Sequence, residues 1–158
     1  MSEKKSVLFV CLGNICRSPM AEAIFIDILR KRGEFENWHV DSSAMVGYHT
    51  GKQPEKRTLS TLEKLGGIKD YRHTVRVTRK EDFDTFDYIF GMDDDNMADL
   101  EQLRSSRKAP GKAIVEKFSK YDGSSEVPDP YYNSGTREFE QVYHQLVKCC
   151  NTFLDGLN

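Results

Sequence analysis

Val7-Leu8-Phe9-Val10-Cys11-Leu12-Gly13-Asn14-Ile15-Cys16-Arg17-Ser18-Pro19 is the most informative segment of the chain. Val7 to Val10 is a short apolar run of the kind presented by a strand buried on both faces. Cys11 stands where that run ends. An apolar-periodic segment begins at about Met20. Ser18-Pro19 before it has the form of a helix N-cap followed by proline at the first helical position. The segment therefore reads as strand, tight loop and helix, with a cysteine at the loop's start and an arginine at its end.

That arrangement has chemical consequences. Successive amides in such a loop can converge as an anion-binding nest, and the helix N-terminus adds unpaired donors and a partial positive charge. Arg17 adds a planar fork suited to phosphate oxygens. Gly13 and Asn14 tolerate left-handed backbone, which lets a short loop wrap round an anion. A cysteine in that field is favoured as a thiolate and faces the bound oxyanion as a nucleophile. The alternative is a buried cysteine beside an incidental arginine. Cys-x5-Arg alone would not exclude it, but Cys-x5-Arg-Ser-Pro between a buried strand and an amphipathic helix is far more specific. No Gly-x4-Gly-Lys-Ser/Thr occurs, so this is not an ATP-type phosphate loop.

Val10 to Pro19 resembles the signature of the low-molecular-weight protein tyrosine phosphatases, also known as acid phosphatases. Asp129-Pro130-Tyr131-Tyr132 resembles that family's general-acid loop. The resemblance runs essentially end to end. It implies a cysteinyl-phosphate on Cys11, phosphate held by Leu12, Gly13, Asn14, Ile15, Cys16, Arg17 and Ser18, and Asp129 as general acid and then base. From the Asp-Pro dipeptide alone, Asp129 would be an ordinary turn residue. It further implies a supporting network of Asn14, Ser18, Ser42 and His73, with Asp93 orienting Arg17. Tyr48, Tyr131 and Tyr132 would line the substrate cleft. Family members usually carry an acidic residue before the aspartate. Pro128 stands there instead, which bears on rate rather than on reaction type. Cys16, in the same loop as Cys11, is the candidate redox partner that traps an oxidised Cys11 as a disulfide.

The whole chain fits this reading. Its 158 residues are expected to form one domain over residues 1–158. Lys and Arg number 23 against 25 Asp and Glu, a net charge of −2, so nothing points to nucleic acid or an anionic membrane. Cys11, Cys16, Cys149 and Cys150 have no zinc-ligand spacing. No stretch reads as a signal peptide or a membrane span, and a cytoplasmic protein without metal or cofactor is expected.

Taken in order, Met1 to Lys5 reads as a polar tail. Met20/Ala21, Ile24/Phe25 and Ile28/Leu29 mark a helix capped near Gly33. Trp38 to Ala44 reads as a second strand, and Gly47 to Pro54 as a loop on the same rim as the phosphate loop. Thr58 to Leu65 suggests a helix stopped by Gly66-Gly67. Phe86 to Met92 is a third strand. Asp93 is the N-cap of a helix over Asn96 to Leu103, a better reading of Asp93-Asp94-Asp95 than a metal site. Ala113 to Phe118 is a fourth strand. Phe139 to Leu154 keeps helical spacing, with Cys150 on the apolar stripe and Cys149 off it. Four strands with intervening helices give a doubly wound α/β sheet with helices on both faces. The resemblance implies strand order 2-1-3-4, flavodoxin-like.

Two other functions share features with this sequence. Arsenate reductases resemble the same fold but need extra cysteines to relay a disulfide, and residues 80–92 contain none. A phosphotyrosine-binding module without chemistry would be expected to lack Cys11, Arg17 or Asp129, and all three are present. Phosphotyrosine proteins and small aryl phosphates are the expected substrates, with inorganic phosphate as product.

Overall fold

The structure, a computed structural model, describes residues 4–157. The first three residues of the expected tail lie outside the described residues, and Lys5 already belongs to a strand. The order is β1 (Lys5–Cys11), α1 (Arg17–Lys31), β2 (Trp38–Ala44), α2 (Lys56–Gly66), α3 (Asp82–Thr85), β3 (Tyr88–Gly91), α4 (Asp94–Ser105), β4 (Ile114–Lys117) and α5 (Arg137–Asp155). The strands form one parallel sheet in the order β2-β1-β3-β4, as the resemblance implies.

The alternation of side chains along β1 builds two cores. Val7, Phe9 and Cys11 point to one face and pack with Met20, Phe25, Leu62, Phe118 and Phe153, which come largely from α1, α2 and α5. Leu8 and Val10 point to the other and pack with Phe83, Ile89 and Leu100. The residues of Val7 to Val10 are wholly buried, which explains why the strand carries no polar face. Phe9, Phe90 and Phe118 meet with ring centroids 4.8–5.9 Å apart and tie β1, β3 and the end of β4 together.

Several boundaries differ from expectation. Helix α1 starts at Arg17 with Cys16 as its cap residue and no side-chain cap bond. Ser18 is therefore inside the first turn rather than at the cap, because its hydroxyl is engaged by Cys11 and Asn14. Strand β3 is shorter than Phe86–Met92. The Phe86 amide closes α3 onto Asp82 O, and the Asp87 amide turns to Ser6. Helix α4 begins at Asp94, two residues before the expected start, with Asp93 as its cap. Cys149 is as fully buried as Cys150, since the apolar stripe of a long helix packed on the sheet is wider than a strict periodic reading allows. Burial, with Asp122 nearby, pushes the Cys149 thiol up to about 12. Among the described residues no helix is long and apolar enough to cross a membrane.

In a parallel sheet the strand C-termini share one edge. β1 ends there at Cys11, β2 leads toward Tyr48, and β3 leads to Asp93. β1 is flanked by β2 and β3, so the chain reverses its winding beside it, where open α/β sheets form a ligand crevice.

Candidate active site

The loop after β1 is held from beneath and left open above. Cys11 O and Leu12 O accept from the amides of Met45 and Val46 at 3.0 and 3.1 Å, and Ile15 O accepts from the Glu55 amide at 2.9 Å. Among the described residues none of the backbone amides of Leu12 to Cys16 donates to a protein acceptor. These five donors lie beside the N-terminus of α1, where unpaired amides favour an anion. Asn14 has φ 58°, the one non-glycine residue with positive φ among the described residues, a conformation asparagine tolerates better than most. Gly13 lies close beneath His49, where an added Cβ would come within 3.0 Å of the imidazole Cδ2.

A buried network fixes that conformation. Asn14 Nδ2 donates to Ser18 Oγ at 2.8 Å and to Ser42 Oγ at 3.0 Å. Its Oδ1 lies 2.6 Å from His73 Nε2, which must donate, since a carbonyl oxygen only accepts. Ser18 Oγ is 3.0 Å from Cys11 Sγ. The four expected network residues are thus brought together. His73 sits on a segment outside the named strands that runs beside the end of β2, with an isolated β-bridge between Ala44 and Val77.

Behind this network lie two residues that the sequence analysis did not single out. Glu22 Oε1 accepts from Ser42 Oγ at 2.6 Å and from Tyr71 OH at 3.0 Å, and lies 3.4 Å from His73 Nδ1. Burial raises the Glu22 carboxyl to about 8 against the pull of those donors. Burial also lowers His73, with Asp41 opposing. Both shifts favour an uncharged pair. Glu22, Asp41 and His73 place three potential ligand atoms within 4.8 Å of one another. Ser42 and Tyr71 donate to Glu22, and Arg76 donates to Asp41.

Arg17 is buried, with 2 % of its surface exposed. Nη1 donates to Asp93 Oδ2 at 2.6 Å and to Val127 O at 3.0 Å, Nη2 is 3.6 Å from Asp129 Oδ2, and Nε is buried without a partner. Burial opposes the guanidinium's charge, but Cys11, Asp93 and Asp129 outweigh it and raise its pKa. Nη1 is therefore anchored, while Nε makes no hydrogen bond and Nη2 has a long ion pair to Asp129.

Cys11, Leu12, Gly13, Ile15, Cys16, Arg17, Asp129, Tyr131 and Tyr132 line one cleft with Tyr48 and His49. Tyr48 and Tyr132 are 78 % and 77 % exposed and Tyr131 is 40 % exposed, so the tyrosines form an open rim. His49, 6.4 Å from Tyr131 between ring centroids, also went unnoticed from sequence. Its position beside Tyr48 in a rim loop was the available signal. Asp129 Oδ1 accepts from the Tyr131 amide at 3.1 Å, which leaves Oδ2 toward Arg17. Burial, with Cys11 close by, pushes the Cys16 thiol strongly upward.

The family model described as low molecular weight phosphotyrosine protein phosphatase matches residues 6–158. The human low molecular weight phosphotyrosine protein phosphatase is 45% identical over 153 residues, covering 96% of this chain and 94% of that protein. The crystal structure of a Drosophila arginine phosphatase superposes with a TM-score of 0.91 at 35% identity, covering 96% of this chain and 97% of that one. A low molecular weight phosphotyrosine phosphatase from Vibrio cholerae superposes with a TM-score of 0.84 at 31% identity, covering 97% and 96%.

Proposed function

The chain belongs to the low molecular weight phosphotyrosine protein phosphatase family, and from that premise we propose that it hydrolyses phosphotyrosine and aryl phosphate monoesters through a cysteinyl-phosphate on Cys11. The observation that carries the mechanism is the state of Arg17. A buried guanidinium keeps one nitrogen unpartnered in the wall of a cleft that also holds Cys11 and Asp129. Leaving a buried donor unmade is unfavourable by about 1–3 kcal/mol, and phosphate bound across Nε and Nη2 removes that penalty.

In the first step the Cys11 sulfur attacks phosphorus and the P–O bond to the aryl group breaks. Asp129 gives its proton to the leaving oxygen. The loop amides and Arg17 hold the three equatorial oxygens as charge shifts toward them. In the second step water attacks the phosphocysteine, Asp129 takes the water's proton, and inorganic phosphate leaves with the thiolate restored. Ser18 Oγ, 3.0 Å from Cys11 Sγ, stabilises the thiolate as leaving group. Asp93 orients Arg17, and the Asn14–Ser42–His73 network maintains the loop.

The tyrosine rim supports an aromatic substrate, since a phosphotyrosine ring can reach the floor and stack on the walls. The match to an arginine phosphatase makes phosphoarginine the informative competitor. Its guanidinium calls for an acidic group at the rim, and among the described residues Asp129 is the one carboxylate lining the cleft. Turnover of matched phosphotyrosine, phosphoserine and phosphoarginine peptides tests the proposal. Phosphotyrosine is expected to exceed both others by at least about tenfold in kcat/KM. Equal or greater efficiency on phosphoarginine or phosphoserine would overturn the specificity.

A further inference from the structure

Residues 131–136, which follow Asp129, are exposed throughout. A single 3-10 turn, Pro130–Tyr132, is their regular structure. One side chain takes hold of them. Arg57, in the first turn of α2, donates from Nη2 to Tyr131 O at 3.0 Å, from Nη1 to Gly135 O at 3.0 Å, and from Nη1 to Asn133 O. Its Nε donates to Glu55 Oε1 at 2.9 Å, and its guanidinium carbon lies 4.4 Å from the centroid of the Phe139 ring. Among the described residues no other side chain hydrogen-bonds to the carbonyls of residues 131–135.

The same helical turn grips the phosphate loop. The Glu55 amide and Thr58 Oγ1 both donate to Ile15 O, at 2.9 and 3.1 Å. Three residues of one turn therefore touch the loop that binds phosphate and the loop that carries Asp129. Tyr131 is the joint between them: its carbonyl is held by Arg57 and its amide by Asp129 Oδ1. Any drift of the Tyr131 peptide carries the Asp129 carboxyl with it, and with it the distance to a leaving oxygen seated above Cys11.

We propose that Arg57 is a positioning residue for the general acid, setting the height of Asp129 over the phosphate loop. This rests on Asp129 being the acid. Lysine is a poor replacement for Arg57, because the guanidinium spreads its donors over three carbonyls and Glu55, a span that a compact ammonium does not cover. The competing view is that Arg57 only staples α2 to the start of α5, which would change stability alone.

The test measures kcat/KM over aryl phosphates of graded leaving-group basicity, with thermal melts, for wild type, Arg57→Ala, Arg57→Lys, Asp129→Ala and the double variant Arg57→Ala/Asp129→Ala. Arg57→Ala is expected to lose about tenfold on the most basic leaving group and under about threefold on the least basic. Arg57→Lys should recover little of that loss, and Arg57→Ala should have no further effect once Asp129 is alanine. A loss of equal size across the series, no loss at all, or full additivity with Asp129→Ala would overturn the inference. If Asp129→Ala itself shows no dependence on leaving group, the assignment of the acid fails and this inference fails with it. Dependence in Asp129→Ala with none in Arg57→Ala refutes the positioning role alone.

Discussion

Arg17 Nη1 and Asp93 Oδ2 meet at 2.6 Å across 76 residues of sequence, and the same carboxylate caps α4 by accepting from the Asn96 amide through Oδ1 at 2.8 Å. One side chain just past β3 thus caps a helix and pairs with the buried guanidinium of Arg17. Asp93→Asn keeps a good cap and loses the ion pair. It should lower kcat/KM by about tenfold or more with little change in melting temperature. Asp93→Ala loses both functions and should also cost about 1 kcal/mol of stability. Steady-state kinetics and urea unfolding separate the two effects. Equal stability of the two variants would show that the cap contributes nothing.

Asn14 offers a similar dissection of backbone from side chain. Asn14→Gly preserves access to φ 58° but removes the amide that joins Ser18, Ser42 and His73. Asn14→Ala loses the amide and strains the backbone as well, by about 1 kcal/mol. Both should weaken inhibition by inorganic phosphate, Asn14→Ala more than Asn14→Gly. If the alanine variant binds phosphate as tightly as wild type, the network does not maintain the loop.

The buried Glu22 carboxyl gives a pH signature. Its ordinary value of 4.5 is raised to about 8 in the fold, so the folded protein binds more protons than the unfolded chain between those values, and stability falls as pH rises through that window. The contribution is complete below about pH 4.5 and gone above about pH 8. Glu22→Gln, which mimics the protonated form, should flatten the decline and gain at least about 1 kcal/mol relative to wild type between pH 5 and pH 8.5. Urea midpoints across that range measure it. A relative gain for wild type as pH rises would reverse the sign and show that the carboxylate is the favoured form.

Cys16 lines the same cleft as Cys11, and burial, with Cys11 close by, favours its thiol form. Peroxide should convert Cys11 to a sulfenic acid, and Cys16 should displace water from it to give a disulfide. Wild type should then be inactivated reversibly, be protected by bound phosphate, and recover with dithiol. Cys16→Ser should be inactivated and recover much less. Equal recovery, or no Cys11–Cys16 link in peptide mapping, would reduce Cys16 to a packing residue.

What the sequence made legible was what local chemistry determines. Gly33 and Gly67 both have positive φ past their helices, Asp93 caps α4, and Trp38–Ala44 is a strand over the expected residues. Ser18 departs from the expected cap because its hydroxyl meets a cysteine seven residues away. Cys149 is buried off the expected stripe because α5 is enclosed more widely than its period shows. Glu22, His49, Tyr71 and Arg57 were not legible. Their roles come from partners brought near only by the closed sheet and its helices, as when Arg57 meets carbonyls 74 to 78 residues away.

The phosphoenzyme is the most direct test of the mechanism. Wild type and Cys11→Ser are mixed with an aryl phosphate, quenched in acid within a turnover, digested, and the peptide spanning residues 6–17 is weighed. Wild type should carry one phosphoryl group on Cys11, while Cys11→Ser should carry none, turn over no substrate and still bind phosphate. A phosphoryl group on any other residue, or turnover by Cys11→Ser near the wild-type rate, would contradict a mechanism centred on this cysteine.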